Sequence, residues 1–216
     1  MKKKSSRLSK KYKIIIFTIM VLFIVGIFIV TKRHKNTEKP NAPETVTYST
    51  DTPDESKANA DTYSWKGAEN DPKKLRIQSI GVDAYVQRMG VDQNNKIAVP
   101  NNIHLTGWFT NSQQPGQDGL SIIAGHVTGK KGDGVFKHLG DMKAGDLFEV
   151  ETGSGAIKHY KVIEVKQMKE SESADFLFSQ KPNTKSQLNL ITCGGRFDSS
   201  AHMYDDRVIV VGELQE

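Results

Sequence analysis

Short apolar runs separated by turn-forming residues recur along the C-terminal two thirds of the chain. Each run alternates apolar with polar residues or is rich in β-branched ones, which is typical of strands. Glycine, proline, asparagine and aspartate punctuate them. Eight such runs lie at residues 75–80, 84–86, 97–100, 120–124, 147–150, 160–165, 188–192 and 208–211.

Helical periodicity is scarce by comparison. Only residues 135–139 and 173–178 could form a turn or two of helix. About eight short strands with one or two short helices predict a mainly β fold, namely a closed or nearly closed β-barrel. An open sandwich is the alternative.

Residues 14–30 carry no charge and are apolar apart from Thr18 and Gly26. Seventeen helical residues span roughly 26 Å, enough for a thin hydrocarbon core. Seven basic residues precede the stretch and four follow it closely, so residues 1–13 are predicted to stay in the cytoplasm and the C-terminal part to lie outside. No pair of small residues marks a cleavage site, so we expect a signal-anchor; a cleaved signal peptide is the alternative.

The basic pI of about 9.1 comes from the N-terminus. Residues 1–39 hold eleven basic residues against one acidic, whereas the remainder holds 19 against 24. The basic end suits anionic inner-leaflet lipids. A mildly acidic outer part argues against binding nucleic acid.

The segment between the anchor and the strand-rich part is polar and poor in aliphatic residues. Residues 31–71 are therefore predicted to be a flexible extracellular stalk, because they cannot bury enough apolar surface to order themselves. The folded domain is expected to span residues 72–216, with no internal repeat.

Cys193 is the chain's single cysteine. It cannot form an intramolecular disulfide, so it is either an inert packing residue or a reactive thiol. His126 follows the strand 120–124 through Gly125, and Arg207 begins the final strand. A thiol nucleophile needs an acid–base partner and an oxyanion stabiliser, and three such side chains at strand ends favour the reactive reading.

The stretches 124–126 (Ala-Gly-His) and 190–193 (Leu-Ile-Thr-Cys), followed by Arg207, resemble the sortases, the membrane-anchored cysteine transpeptidases of Gram-positive bacteria. The His-to-Cys and Cys-to-Arg spacings of 67 and 14 residues suit that family. The resemblance covers about residues 75–214 and is strongest to class F, through residues 107–109, 115–119 and 134–146. Asn189 stands where the family usually has a threonine.

This resemblance implies a sortase-like closed eight-stranded barrel. Cys193 would attack the Thr–Gly bond of a Leu-Pro-x-Thr-Gly (LPxTG) sorting signal and form a thioacyl enzyme. His126 would be the general acid and base, Arg207 would hold substrate and stabilise the oxyanion, and Thr192 would assist substrate binding. The partners would be secreted LPxTG proteins and a cell-wall precursor amine, such as a lipid II-like one, although a pilin lysine stays open as the acceptor.

Two other readings remain at the level of sequence. One is a different wall-active thiol enzyme, although here the histidine precedes the cysteine and the cysteine ends a strand. The other is a non-enzymatic β-domain on a stalk. No cofactor is predicted and a Ca²⁺ site cannot be assigned, since scattered acids such as Asp133, Glu149 and Glu170 read as solvated charges.

Overall fold

The computed structural model describes residues 43–198 and 203–215. The strands are β1 (Thr45–Val46), β2 (Pro72–Ile77), β3 (Val82–Met89), β4 (Thr106–Phe109), β5 (Gly119–Gly125), β6 (Leu147–Thr152), β7 (Ile157–Lys169), β8 (Ser186–Asp198) and β9 (Met203–Leu214). One α-helix of this part of the chain, α1, spans Glu170–Leu177, and 3₁₀ turns lie at Gln78–Ile80 and Leu139–Asp141.

Eight of these strands form a closed barrel. Their order is β3-β2-β6-β7-β9-β8-β5-β4, and a parallel pairing between β3 and β4 closes the sheet on itself. The β5–β8 pair is also parallel, whereas the other neighbours are antiparallel. The predicted closed eight-stranded barrel is therefore confirmed, and the open sandwich is excluded.

The barrel core lies between alternate residues of the strands. Side chains at every second position, such as Leu75 and Ile77 on β2 or Leu188 and Leu190 on β8, are fully buried in one cluster. This spacing follows from the two-residue period of a strand. Each such side chain contributes roughly 1.5–3 kcal/mol on burial.

A second apolar cluster lies on the outer face of the same sheet. Leu177 of α1 packs there with Phe109, Ile122, Ile209 and Val211. The helix is held by the buried amide of Asn189, which donates to the Leu177 carbonyl at 2.7 Å. Asn189 thus connects β8 to the C-terminal end of α1.

One predicted strand is absent and another takes its place. Residues 97–100 form a loop with a single bridge between Val91 and Ile97, because Pro100 has no N–H to donate to a ladder. The eighth barrel strand is β4, a four-residue run in which all residues are buried. So short a run lacks the alternation that marks a half-buried strand.

Residues 43–71 differ from the predicted stalk, because they lie against the barrel. β1 pairs with the end of β3, Asp54 bridges Asn102, and the Trp65 indole N–H donates to the Val86 carbonyl at 3.0 Å. Hydrogen bonds to β3 and to the connection between β3 and β4 hold this segment, and a composition argument based on apolar burial does not detect them.

The predicted cytoplasmic tail, the transmembrane segment at 14–30 and the stalk residues 31–42 lie outside the described residues. Within residues 43–198 and 203–215, no helix is long and apolar enough to cross a membrane.

Asp71 offers a test of how firmly the N-terminal segment is joined to the barrel. Its carboxylate is 1% exposed and accepts from Arg88, from the Gln114 amide and from the backbone N–H of Ala68. Replacing Asp71 with alanine leaves the Arg88 charge unpaired, and we expect the free energy of unfolding to fall by about 3–5 kcal/mol in urea titrations. The matched control is Asp83→Ala, which removes the ion pairs of an exposed carboxylate with Lys74 and Arg76 and should cost about 1 kcal/mol or less.

Candidate active site

The pairing of three strands places the predicted residues side by side. Cys193 on β8 lies directly opposite Arg207 on β9. On the other side of β8, Ile191 lies opposite Ala124 of the parallel strand β5. His126 and Cys193 each come two residues further along, so His126 directly follows the end of β5 at the level of Cys193, which lies inside β8 and not at its end as predicted.

Thr192 connects β8 to the end of β5 on the core-facing side of the sheet. Its side chain is 4% exposed, and its hydroxyl donates to the Gly125 carbonyl at 2.8 Å. Thr192 therefore links β8, one residue before Cys193, to Gly125, one residue before His126, and its hydroxyl proton is used in that link. Its predicted role in substrate binding stays a prediction.

The His126 imidazole has a defined hydrogen-bonding state. Its Nε2 lies 2.6 Å from the Pro100 carbonyl oxygen, and because a carbonyl can only accept, Nε2 carries the proton. Burial lowers the pKa of His126, and the Pro100 carbonyl raises it in part. The neutral ring therefore keeps Nδ1 as its acceptor.

Burial also governs the thiol. It raises the pKa of Cys193, the Arg207 guanidinium lowers that pKa, and the Glu170 carboxylate raises it again. The neutral forms of both Cys193 and His126 are thus favoured at rest, since burial penalises whichever form is charged.

Arg207 is held by its own strand and by α1. Its Nη1 donates to the carbonyl oxygens of Tyr204 and Asp206 at 3.0 and 2.8 Å. Its Nη2 lies 3.6 Å from Oε1 of Glu170, the first residue of α1. The same Glu170 oxygen is 3.4 Å from the Lys96 ammonium, so Glu170 bridges two cations beside the thiol.

Apolar side chains surround the thiol on the outer face of the sheet. Ile191 and Ile209 form a cross-strand pair one step below Cys193 and Arg207, and Met168 lies opposite Arg207 on β7. Val91 and Ile97 pack against the same outer cluster. Ile209 is fully buried, whereas Ile191, Met168, Val91 and Ile97 are partly exposed and give an apolar surface next to a cation.

Other parts of the described chain give no competing centre. No group of three or more His, Cys, Asp or Glu side chains in residues 43–198 and 203–215 is arranged to hold a metal ion. A cavity of about 300 Å³ lies between the N-terminal segment and β3, lined by residues including Tyr63, Trp65 and Gln87. None of its lining residues comes from β5, β8 or β9, so it is separate from the thiol.

A sequence profile described as "Sortase domain" matches residues 75–215. The chain belongs to the sortase family. Sortases are cysteine transpeptidases, and this chain is an enzyme of that kind.

Solved sortase structures share the fold. Sortase C-1 from Actinomyces oris is 24% identical, with a TM-score of 0.51 over 69% of this chain and 77% of that one. A lid mutant of sortase A from Corynebacterium diphtheriae is 21% identical, with a TM-score of 0.51 over 66% and 69%. Sortase A from Listeria monocytogenes is 22% identical, with a TM-score of 0.50 over 68% and 88%. A comparison with curated proteins finds no match, and the class F assignment stays a prediction.

Sequence reasoning missed two features of this sortase site. Glu170, read as a solvated charge, faces Arg207, and Pro100 supplies the carbonyl that holds His126. Neither has a recognisable signal: Glu170 is an acidic residue at a helix start, and a backbone carbonyl has no sequence signature.

The contact between Glu170 and Arg207 predicts a change in thiol reactivity. Replacing Glu170 with glutamine removes a negative charge that raises the pKa of Cys193, so the midpoint for alkylation by iodoacetamide should move to lower pH. Glu172→Gln, on the same helix but exposed, is the control and should titrate like the parent. An unchanged midpoint in Glu170→Gln would show that the carboxylate does not act on the thiol.

Proposed function

We propose that this sortase is a membrane-anchored transpeptidase that cleaves an LPxTG-like sorting signal between Thr and Gly. It then transfers the protein to an amine of the cell wall. The observation that carries the proposal is the register that sets Cys193 opposite Arg207, with His126 at the same end of the adjoining strand.

In the first step, Sγ of Cys193 attacks the threonine carbonyl carbon. A C–S bond forms and the Thr–Gly C–N bond breaks, while protonated His126 gives its proton to the departing glycine amine. Arg207 is permanently charged and offers several donors, so it can stabilise the oxyanion of the tetrahedral intermediate. Its Nη2 lies 3.6 Å from the Glu170 carboxylate, a long contact.

In the second step, an amine attacks the thioester. A C–N bond forms, the C–S bond breaks, and the proton lost by the amine returns to His126. The product is a new amide between the sorted protein and the acceptor. We propose a wall-precursor amine, such as a lipid II-like one, as this acceptor.

The surroundings of the thiol support a peptide of this type. An extended sorting signal would lay its leucine and proline on the partly exposed apolar side chains of Ile191, Val91 and Ile97. Its reacting carbonyl would then lie between Cys193 and Arg207. A strongly acidic or highly polar peptide would find no such surface here.

The location we propose is the outer face of the cell membrane. Residues 14–30 would form a single-pass anchor, with the catalytic domain outside. Anchored enzyme and membrane-bound substrates would then meet in two dimensions, which raises their effective concentration.

A quenched fluorescent LPxTG peptide tests the reaction directly. We expect cleavage by the full chain and a loss of about 100-fold or more in kcat/KM for Cys193→Ala, His126→Ala and Arg207→Ala. His138→Ala is the matched control, because His138 is exposed and pairs only with Asp141 among its neighbours in the chain. Full activity in Cys193→Ala would refute the assignment, and mass spectrometry of the product with candidate amines identifies the acceptor.

The pH profile of peptide cleavage should be a bell. The active pair is a thiolate and an imidazolium, which burial makes scarce by raising the pKa of Cys193 and lowering that of His126. With the histidine titrating below the cysteine, the acid limb follows His126 and the alkaline limb follows Cys193. Glu170→Gln should move the alkaline limb to lower pH and leave the acid limb in place. Movement of the acid limb alone would contradict this assignment of the two groups.

A further inference from the structure

The carboxylate of Glu55 is inserted into the loop that follows His126. It accepts hydrogen bonds from the backbone N–H groups of Lys130, at 2.6 Å, and Lys131, at 3.1 Å. A Cβ at Gly129 would come within 2.8 Å of the Glu55 carboxyl carbon. The loop therefore approaches this carboxylate closely at Gly129.

The segment that carries Glu55 also forms hydrogen bonds with residues 101–104. Asp54 exchanges backbone hydrogen bonds with residues 101 and 103, at 2.8 and 2.9 Å. The Asn102 side chain donates to the Ser56 carbonyl at 2.9 Å, and the His104 ring lies 3.2 Å from the Glu55 carbonyl. Residues 53–57, here called the strap, thus connect segment 100–104 to loop 127–135.

Segment 100–104 and the chain that returns from loop 127–135 both form hydrogen bonds with His126. Segment 100–104 begins with Pro100, whose carbonyl fixes the imidazole. Loop 127–135 starts at the next residue and returns to His126, because the Phe136 N–H donates to the His126 carbonyl at 2.9 Å. The Val135 N–H donates in turn to the Ile103 carbonyl at 2.8 Å. A shift of segment 100–104 would therefore move the partner of the imidazole, and a shift of loop 127–135 would move the backbone that carries it.

We propose that Glu55 is a positioning residue for the transpeptidation reaction: its carboxylate fixes loop 127–135 and, through it, the orientation of His126. This inference rests on the proposed role of His126 in proton transfer. Glu55 has no contact with the thiol or with Arg207 among the hydrogen bonds and ion pairs of the described residues, so it acts through His126 and not on the substrate.

The chemistry of the contact favours a carboxylate over other side chains. Two backbone N–H groups converge on one acidic group, and two lysines carry them. Hydrogen bonds from backbone N–H groups to an ionised acceptor are stronger than neutral ones. An amide side chain at this position would present an NH₂ group to the loop and lose part of this interaction.

The test compares Glu55→Ala with Glu44→Ala in the full chain. Glu44 lies earlier in the same N-terminal segment and makes an exposed ion pair with Lys66, so its removal should leave the loop and the activity unchanged. In Glu55→Ala, we expect kcat for LPxTG peptide cleavage to fall about 10-fold or more, since small misplacements of a catalytic group are costly. KM for the peptide should change little, because the apolar surface beside the thiol is untouched.

Rescue of kcat by added acetate distinguishes positioning of His126 from a general contribution to stability. The group removed in Glu55→Ala corresponds to acetate, so added sodium acetate should refill the space and restore kcat in part. Sodium chloride at the same ionic strength and sodium pivalate, which is too bulky, should not restore it. Hydrogen exchange of residues 127–135 should be faster in Glu55→Ala than in the parent and should slow again with acetate.

The outcomes separate this inference from the proposed function. A parent protein that cleaves no LPxTG peptide would refute the proposed function, while the hydrogen-exchange arm would still report on the loop. An active parent with unchanged kcat in Glu55→Ala would refute the role of Glu55 alone. A drop in kcat that acetate does not reverse, with unchanged exchange in loop 127–135, would also overturn it.

Discussion

The hydrogen-bonded register of three neighbouring strands, β5, β8 and β9, is the constraint on which the site depends. A slip of one residue in β8 would turn Cys193 into the barrel and Thr192 out of it, because side chains alternate between the two faces. Two devices oppose such a slip: the fully buried side chains Leu188 and Leu190 on the core face, and the Thr192 hydroxyl bond to the Gly125 carbonyl. The register that buries the core therefore also aligns the reactive groups.

Burial of the side chains that this register brings together sets the protonation states of Cys193 and His126. The outer face is apolar enough to favour a neutral thiol and a neutral imidazole, and Arg207 opposes that tendency only at Cys193. Glu170 in turn offsets part of the charge of Arg207. At rest the site therefore favours a neutral thiol and a neutral imidazole, beside an arginine whose charge Glu170 partly offsets. In the proposed reaction, a substrate that displaced Glu170 from Arg207 would lower the pKa of Cys193 and free the guanidinium for the oxyanion.

Much of this arrangement could be predicted from the sequence, and the reasons are physical. The two-residue period of the strands and the single cysteine are local properties, so the barrel and the thiol were accessible to pattern reasoning. The position of His126 directly after a strand is accessible for the same reason, whereas Cys193 and Arg207 lie inside β8 and β9, which continue past the apolar runs that pattern reasoning detects. The strand β4 was missed because four buried residues in a row show no alternation. The contacts of Pro100 and Glu170 were missed because they join distant parts of the chain.

Residues 43–71 show most clearly where prediction from amino-acid composition fails. A polar segment was expected to be a free stalk, because it cannot form a core by itself. It does not need one, since the barrel presents preformed partners such as the Val86 and Asn101 carbonyls. Strand β3 and the connection between β3 and β4 already hold those groups in place, so the segment pays only its own ordering entropy. The strap can therefore be both polar and well placed, and its hydrogen bonds reach the two segments that contact His126.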